Sequence, residues 1–238
     1  MKQYFIAFVL NLLVGVSYSY AQTLPPETAR SSKCAGTPAV GAIAYPGAAR
    51  IPTTNSLIRP EGKPDNAPGQ VLYFTGKVLD SNCNPLQDVK IEMWQPDPFS
   101  KLQLATPEDL STPQALFAGA GKTYTKNDGT FSFSTLFPGT LRYCIRYDAR
   151  RRCLQSIERA PFLNLRLSGK DLRTPFMLGV FFENDRRNAS DPVYKKLSPE
   201  NQQRLTMRVF PYDGVNFANG MKTYIELVMP SGNQTHGY

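Results

Sequence analysis

The clearest alternation of apolar and polar residues along the chain lies between Phe117 and Arg146. There Phe131 and Phe133 alternate with serines, which is the two-residue period of a strand with one buried face. The turn sequences Asn127-Asp128-Gly129 and Pro138-Gly139 divide the segment into three short strands. One face of these strands needs a second layer to pack against, and the rest of the chain must supply it.

Further short segments show the strand pattern, at residues 71–79, 89–94, 162–167, 177–182 and 224–229. Ser198-Pro199-Glu200 predicts the start of a helix, because Ser is a good N-cap and Pro fits the first helical position. We expect this helix to run to about Arg208, and a second short helix to lie within residues 106–117. Many short strands with few helical turns predict a mainly β protein, an antiparallel β-sandwich with one or two short helices.

The first residues predict an export signal that is removed from the mature protein. Lys2 precedes a mostly apolar run, Phe5 to Val16, and small residues allow cleavage near Ala21. The run is short for a membrane span. We therefore expect residues 1–21 to be a signal peptide, 22–69 a Pro/Gly-rich arm, 70–229 the β-sandwich and 230–238 a tail. The protein would be secreted or periplasmic, with no transmembrane segment.

Four cysteines remain after the signal, which is an even number in an oxidising compartment. This predicts two disulfides, for which three pairings exist. The local choice joins Cys144 to Cys153. Cys34 would then pair with Cys83 and pin the arm to the domain.

The chain has a formal net charge of +8, and part of the excess is concentrated in Arg150, Arg151 and Arg152. No nucleic-acid motif or aromatic-interleaved basic run accompanies these arginines, so we do not expect a nucleic-acid partner. Two interpretations remain open. The arginines are either solvated loop residues or a patch for an anionic partner, such as an envelope surface or an acidic glycan.

Three blocks of sequence resemble the intradiol ring-cleavage dioxygenases, the family of catechol and protocatechuate dioxygenases. The first runs from Gly76 to the Met-Trp-Gln that ends at Gln95, the second from Phe117 to Gly139, and the third from Phe181 to Glu200. Part of the pattern is shared with transthyretin-like β-sandwiches, but the Trp-Gln strand end and the third block favour the dioxygenases. The resemblance covers about residues 70–229 and implies that family's β-sandwich.

The resemblance also implies a ferric ion, held in the family by two Tyr and two His, which activates a catechol for cleavage by oxygen. The positions that match these four ligands hold other residues here, namely Leu102, Leu141, Phe162 and Asn164. The chain has one His, His236 in the tail, so it cannot form a two-His centre. We predict no catalytic residue, no metal site and no Fe³⁺ cofactor. Arg159 matches an arginine that the family uses near the substrate, and Gly179 stands where a Gln is expected.

The replaced positions predict either a filled core or a small apolar pocket. In the second case Leu102, Leu141 and Phe162 line the pocket and Arg159 and Asn164 edge it, which suits an aromatic or acidic ligand. We interpret the protein as an exported, non-catalytic binding or interaction module, whose partner is a protein, an envelope component or a small ligand. The alternatives are an active oxidoreductase with a relocated metal site that uses tyrosines, and a structural subunit of an envelope or secretion assembly.

Overall fold

The computed structural model describes residues 34–59, 66–102, 117–172, 174–214 and 217–229, which all lie within one unit, Ser32–Tyr238. The strands in these ranges are β1 (Val71–Leu79), β2 (Lys90–Trp94), β3 (Ala120–Tyr124), β4 (Thr130–Leu136), β5 (Leu141–Tyr147), β6 (Cys153–Arg159), β7 (Phe162–Ser168), β8 (Phe176–Phe182), β9 (Thr206–Met207), β10 (Val209–Gly214) and β11 (Phe217–Val228). The helices in the same ranges are α1 (Pro199–Arg204) and three 3₁₀ helices, Ala48–Arg50, Arg186–Ser190 and Tyr194–Lys196.

The strands form two large sheets and one separate ribbon. The first sheet has the order β10-β11-β1-β4, and the second has the order β3-β2-β7-β8-β9. Strands β5 and β6 pair only with each other. The mainly β fold is confirmed, but the sheets are mixed rather than purely antiparallel, because β1 pairs with β11 and β8 with β9 in parallel. Parallel neighbours need a long connection, and the 183–205 segment between β8 and β9 provides one.

The two large sheets share one core. Phe74 and Phe133 enter it from the first sheet, and Met93, Leu165 and Val180 enter it from the second, each fully buried. The alternation read from the sequence therefore faces inward as expected. At the turn before β4, Gly129 has a positive φ of 77°, a conformation that glycine adopts without strain.

Two differences from the sequence-based expectations concern the end of one helix and three strands. Helix α1 begins after the Ser198 N-cap as predicted, but it ends at Arg204 instead of near Arg208, because Thr206 and Met207 join β8 as strand β9. Strands β6, β9 and β10 were not predicted. The short helix expected within 106–117 falls almost wholly on residues outside the described ranges.

The disulfides follow the pairing that the sequence favoured, Cys34 with Cys83 and Cys144 with Cys153. The first ties the arm to the turn after β1, and the second joins the strands of the β5–β6 ribbon. No helix in the described ranges has the length and apolar character needed to cross a membrane.

Candidate functional site

The four positions that match the family's iron ligands lie around one end of the second sheet. Phe162 and Asn164 are fully buried on β7, where Asn164 pairs in register with Trp94 of β2 and with Gly179 of β8. Leu102 and Leu141 lie at a cavity of about 490 Å³. The residues that line this cavity are Ile43, Ala44, Ser100, Lys101, Leu102, Leu141, Arg142 and Tyr143. Two of the four positions therefore share a cavity, and the other two are buried in the sheet.

Asn164 uses both ends of its side-chain amide within the protein. Its Oδ1 accepts a hydrogen bond from the Ile43 N–H at 2.9 Å, and its Nδ2 donates to the Trp94 carbonyl at 3.1 Å. A buried amide with both ends satisfied is a structural link, because releasing either bond would leave a polar group without a partner. Asn164 therefore ties the arm to strands β2 and β7.

The arm crosses the second sheet at this level through residues 40–45, which we call the strap. The Gly179 N–H donates to the Val40 carbonyl at 2.8 Å, and the Trp94 indole N–H donates to the Ile43 carbonyl at 2.7 Å. A Cβ on Gly179 would lie 3.1 Å from the Gly41 carbonyl oxygen. The glycine that replaces the family's glutamine thus lets the strap approach the sheet closely.

Arg159 is fully buried and is held by a charged partner. Its Nε donates to Asp191 Oδ2 at 2.7 Å, and its Nη1 donates to the Gly41 carbonyl of the strap at 3.2 Å. The guanidinium carbon lies 4.4 Å from the centre of the Phe162 ring, a cation–π arrangement. Its Nη2 is buried without a hydrogen-bond partner. Arg159, Phe162 and Asn164 do not line this cavity, but Arg159 pairs in register with Leu141, and Asn164 is hydrogen-bonded to Ile43 of the lining.

A second polar cluster fixes the far end of the strap. The Tyr45 hydroxyl donates to the carboxylate of buried Glu92, with O···O distances of 3.3 and 3.4 Å. Glu92 also forms an ion pair with Arg166, whose guanidinium lies 5.0 Å from the Tyr45 ring centre. Burial, followed by the negative charge of Glu92, raises the pKa of the Tyr45 hydroxyl. The Tyr45 ring packs edge-on against Trp94 at 5.4 Å.

Sequence reasoning did not find this cluster. Tyr45 lies in an arm without periodicity, and Glu92 stands at a strand position that alternation assigns to the face away from the core. A glutamate between two apolar strand residues, with cations at Lys90 and Arg166 on the same sheet, is the available signal. Its role becomes visible only when the arm covers that face.

The donor set at the four positions that match the family's iron ligands does not fit a ferric ion. Leu102, Leu141 and Phe162 offer no lone pair, and the Asn164 amide is engaged by backbone groups. The cavity contributes one phenol, Tyr143, beside two cationic side chains, whereas Fe³⁺ prefers several anionic oxygen ligands. Within the described ranges, no group of three or more His, Cys, Asp or Glu side chains is placed to hold a metal.

The arginine triplet lies in the turn of the β5–β6 ribbon, with Arg150, Arg151 and Arg152 all exposed. Asp148 organises this turn. Its carboxylate accepts hydrogen bonds from the backbone N–H of Arg150 at 2.9 Å and of Arg152 at 2.8 Å. The hydrogen bond from the Arg152 backbone, followed by the one from the Arg152 side chain, lowers the pKa of Asp148. The triplet is therefore a fixed cationic turn.

The strands β1 to β11 form mixed sheets around a shared core, a mainly β fold like that of the intradiol dioxygenases. The family model described as Dioxygenase matches residues 45–221, which is more than half of the chain. The chain therefore belongs to the dioxygenase family. Its structural neighbours are intradiol ring-cleavage enzymes.

Individual relatives are distant. A candidate dioxygenase of Rickettsia conorii is 33% identical over 95 residues, which are 37% of this chain and 46% of that protein. The chain spans about half the length of the Rickettsia relatives that it matches. The protocatechuate 3,4-dioxygenase beta chain of Burkholderia cepacia is 22% identical over 167 residues, which are 70% of this chain and 67% of that protein.

Two solved structures illustrate the likeness in fold. The dioxygenase domain of a dioxygenase carbohydrate-binding protein fusion from Streptomyces sp. SirexAA-E has a TM-score of 0.57 and 22% identity, over 83% of this chain and 100% of that chain. The 3-chlorocatechol 1,2-dioxygenase of Rhodococcus opacus 1CP has a TM-score of 0.59 and 19% identity, over 84% of this chain and 74% of that chain.

Proposed function

We propose that this protein is an exported, non-catalytic member of the intradiol dioxygenase family that acts as a binding module. The observation that carries the proposal is the state of the four matching positions. Three of them hold hydrocarbon side chains, and the amide of the fourth, Asn164, is hydrogen-bonded to the strap and to β2. A scaffold that has exchanged its metal donors for apolar and structural groups keeps its shape but not the family's iron chemistry.

The cavity beside Leu102 and Leu141 is the binding site in this proposal. Its lining includes the apolar side chains of Ile43, Leu102 and Leu141 and two exposed cations, Lys101 and Arg142. An apolar recess with a small number of polar groups is the usual form of a small-molecule site. The matching ligand is an aromatic ring that carries a carboxylate, since the ring would cover the leucines and the carboxylate would face the cations.

The export part of the proposal is supported by the N-terminal sequence, with its basic start, apolar run and small residues before Gln22. The two disulfides support it further, because such bonds persist in oxidising compartments. Mass spectrometry of the protein recovered from a secreting host tests this part. We expect an N-terminus at Gln22, and a chain that retains Met1 in the cytoplasm would contradict it.

The binding test is ligand-induced thermal stabilisation of the disulfide-bonded protein. Benzoate and dihydroxybenzoates should raise the melting temperature, and catechol, which lacks the carboxylate, should do so less. A ligand at a hundredfold excess over its Kd adds about 2.7 kcal/mol of stability. Lys101→Glu and Arg142→Glu should remove the shift. Arg150→Glu is the matched control, because it makes the same charge change outside the cavity and should leave the shift intact.

The same samples separate the alternatives. Turnover of a dihydroxybenzene with oxygen uptake would favour an oxidoreductase with a relocated metal site, and would refute the non-catalytic assignment. If no aromatic acid stabilises the protein, while Arg150→Glu with Arg151→Glu and Arg152→Glu abolishes a pulled-down partner, the assembly subunit is favoured. The exposed turn of the β5–β6 ribbon is the observation that supports this second candidate.

A further inference from the structure

The β5–β6 ribbon presents apolar side chains to solvent at its outer end. We call residues 145–154 the hairpin tip. Within it Ile145 is 47% exposed, Tyr147 is 59% exposed and Leu154 is 56% exposed. All three belong to the exposed large apolar residues of the described ranges, and they flank a single turn. Clustered exposed apolar residues beside polar ones mark an interaction surface.

The ribbon is also strongly cationic. It carries five exposed arginines, Arg142, Arg146, Arg150, Arg151 and Arg152, with half-buried Asp148 and exposed Glu158, and these seven residues sum to a net charge of +3. Arg142 pairs with Glu158 at 3.5 Å, and Arg152 pairs with Asp148 at 2.7 Å. The other three arginines form no ion pair within the described ranges. Their charge is available to a partner.

The hairpin tip is held in one shape before any partner arrives. The Cys144–Cys153 disulfide joins the two strands next to the turn, and Asp148 accepts hydrogen bonds from two backbone N–H groups across the turn. A pre-formed surface loses little conformational entropy on binding. The apolar and cationic side chains are thus displayed together at low entropic cost.

We propose that the hairpin tip docks on the surface of an anionic lipid bilayer. Tyr147 has the amphipathic ring that suits the boundary between water and hydrocarbon, and Ile145 and Leu154 supply the aliphatic groups that enter it. Arginines whose charge is not neutralised pair with lipid phosphates while their stems lie along the apolar region. A fluid lipid surface needs no complementary shape, whereas a protein partner does. A second copy of the chain is disfavoured by the repulsion between two +3 surfaces.

The test measures co-sedimentation of the disulfide-bonded protein, produced from Gln22 onward, with lipid vesicles. Vesicles that contain phosphatidylglycerol should bind it, phosphatidylcholine vesicles should bind it far less, and added salt should release it. The triple variant R146Q/R150Q/R151Q should weaken binding about 100-fold, since each arginine near an anionic surface contributes about a fivefold gain in affinity. I145S/L154S should also weaken binding, with little change in its salt dependence.

The matched control removes the same three charges from another exposed surface, as R186Q/K195Q/K196Q. It should retain binding. Equal loss in the two triple variants would overturn the proposal, because net charge alone would then explain the interaction. Equal binding to both vesicle types would also overturn the proposal. Binding to soluble polyglutamate and not to anionic vesicles would overturn it in favour of an acidic protein partner. Ligand-induced stabilisation at the cavity should persist in R146Q/R150Q/R151Q, so failure of either proposal is seen separately.

Discussion

Replacing Asn164 with alanine tests whether the residue at a position that matches a family iron ligand serves the architecture. In the wild type its Oδ1 accepts from the Ile43 N–H at 2.9 Å and its Nδ2 donates to the Trp94 carbonyl at 3.1 Å. Alanine removes both bonds at once. The strap would lose its link to β7, and the carbonyl of a buried tryptophan would lose a partner.

The expected cost follows from the two groups left behind. A buried donor or acceptor without a partner costs about 1–3 kcal/mol. Ile43 is half-buried and its N–H can regain water, so the lower part of the range applies to it, whereas Trp94 is fully buried. We therefore expect Asn164→Ala to lower the free energy of unfolding by about 2–4 kcal/mol.

Urea unfolding, followed by the fluorescence of the single tryptophan, measures this change. The matched control is Asn55→Ala, which removes an exposed amide that donates to the Ser132 carbonyl at 3.3 Å and should cost less than about 1 kcal/mol. Limited proteolysis should also cut the strap faster in Asn164→Ala. An Asn164→Ala protein as stable as the wild type, or more stable, would refute the reasoning, since residues kept for function are often replaced without loss of stability.

Three further predictions concern the rest of the framework. Asp191→Ala leaves the buried Arg159 guanidinium without its partner and should lower the free energy of unfolding in urea by about 3–5 kcal/mol. The control Glu183→Ala breaks an exposed pair and should lower it by less than about 1 kcal/mol. Equal losses in the two variants would contradict this prediction. Replacing Cys34 and Cys83 by serine should destabilise the protein by about 4 kcal/mol, and replacing Cys144 and Cys153 by about 2.5 kcal/mol, because the first disulfide closes a loop of 49 residues and the second a loop of 9. The opposite order of stability in calorimetry would contradict this prediction. A hydrogen bond from the Arg187 side chain lowers the pKa of Asp185 below 3.8, so the contribution of Asp185 to the free energy of unfolding is complete above about pH 4 and is lost as the pH falls through the lower folded pKa. Asp185→Asn should flatten the dependence of the free energy of unfolding on pH below about pH 4. An unchanged dependence would refute the assignment.

The strands that could be predicted from the sequence are those in which apolar and polar residues alternate, because one face of each is buried. Strand β1 occupies the predicted residues 71–79, because its apolar side chains alternate into the core. Strand β6 escaped prediction because almost all of its side chains are exposed, so it shows no alternation. The parallel pairing of β1 with β11 was also missed. It joins the first and last strands, and no local pattern records such a contact.

At the site, the resemblance gave the four replaced positions, and the structure shows Leu102 and Leu141 at one cavity. The strap could not be predicted from the sequence. Its contacts run through backbone groups, such as the carbonyls of Val40 and Gly41, which any residue carries. Its one sequence signal is Gly179, whose missing side chain leaves room for the strap.

Iron retention tests the central claim most directly. The purified protein would be incubated with ferric iron, freed of excess metal by gel filtration, and examined for bound iron and for a visible tyrosinate-to-iron absorption band. The L102Y/L141Y/F162H/N164H variant, which restores the family's four donor types, is the matched comparison. Our account predicts no retained iron and no band in the wild type. Stoichiometric iron with such a band in the wild type would contradict it.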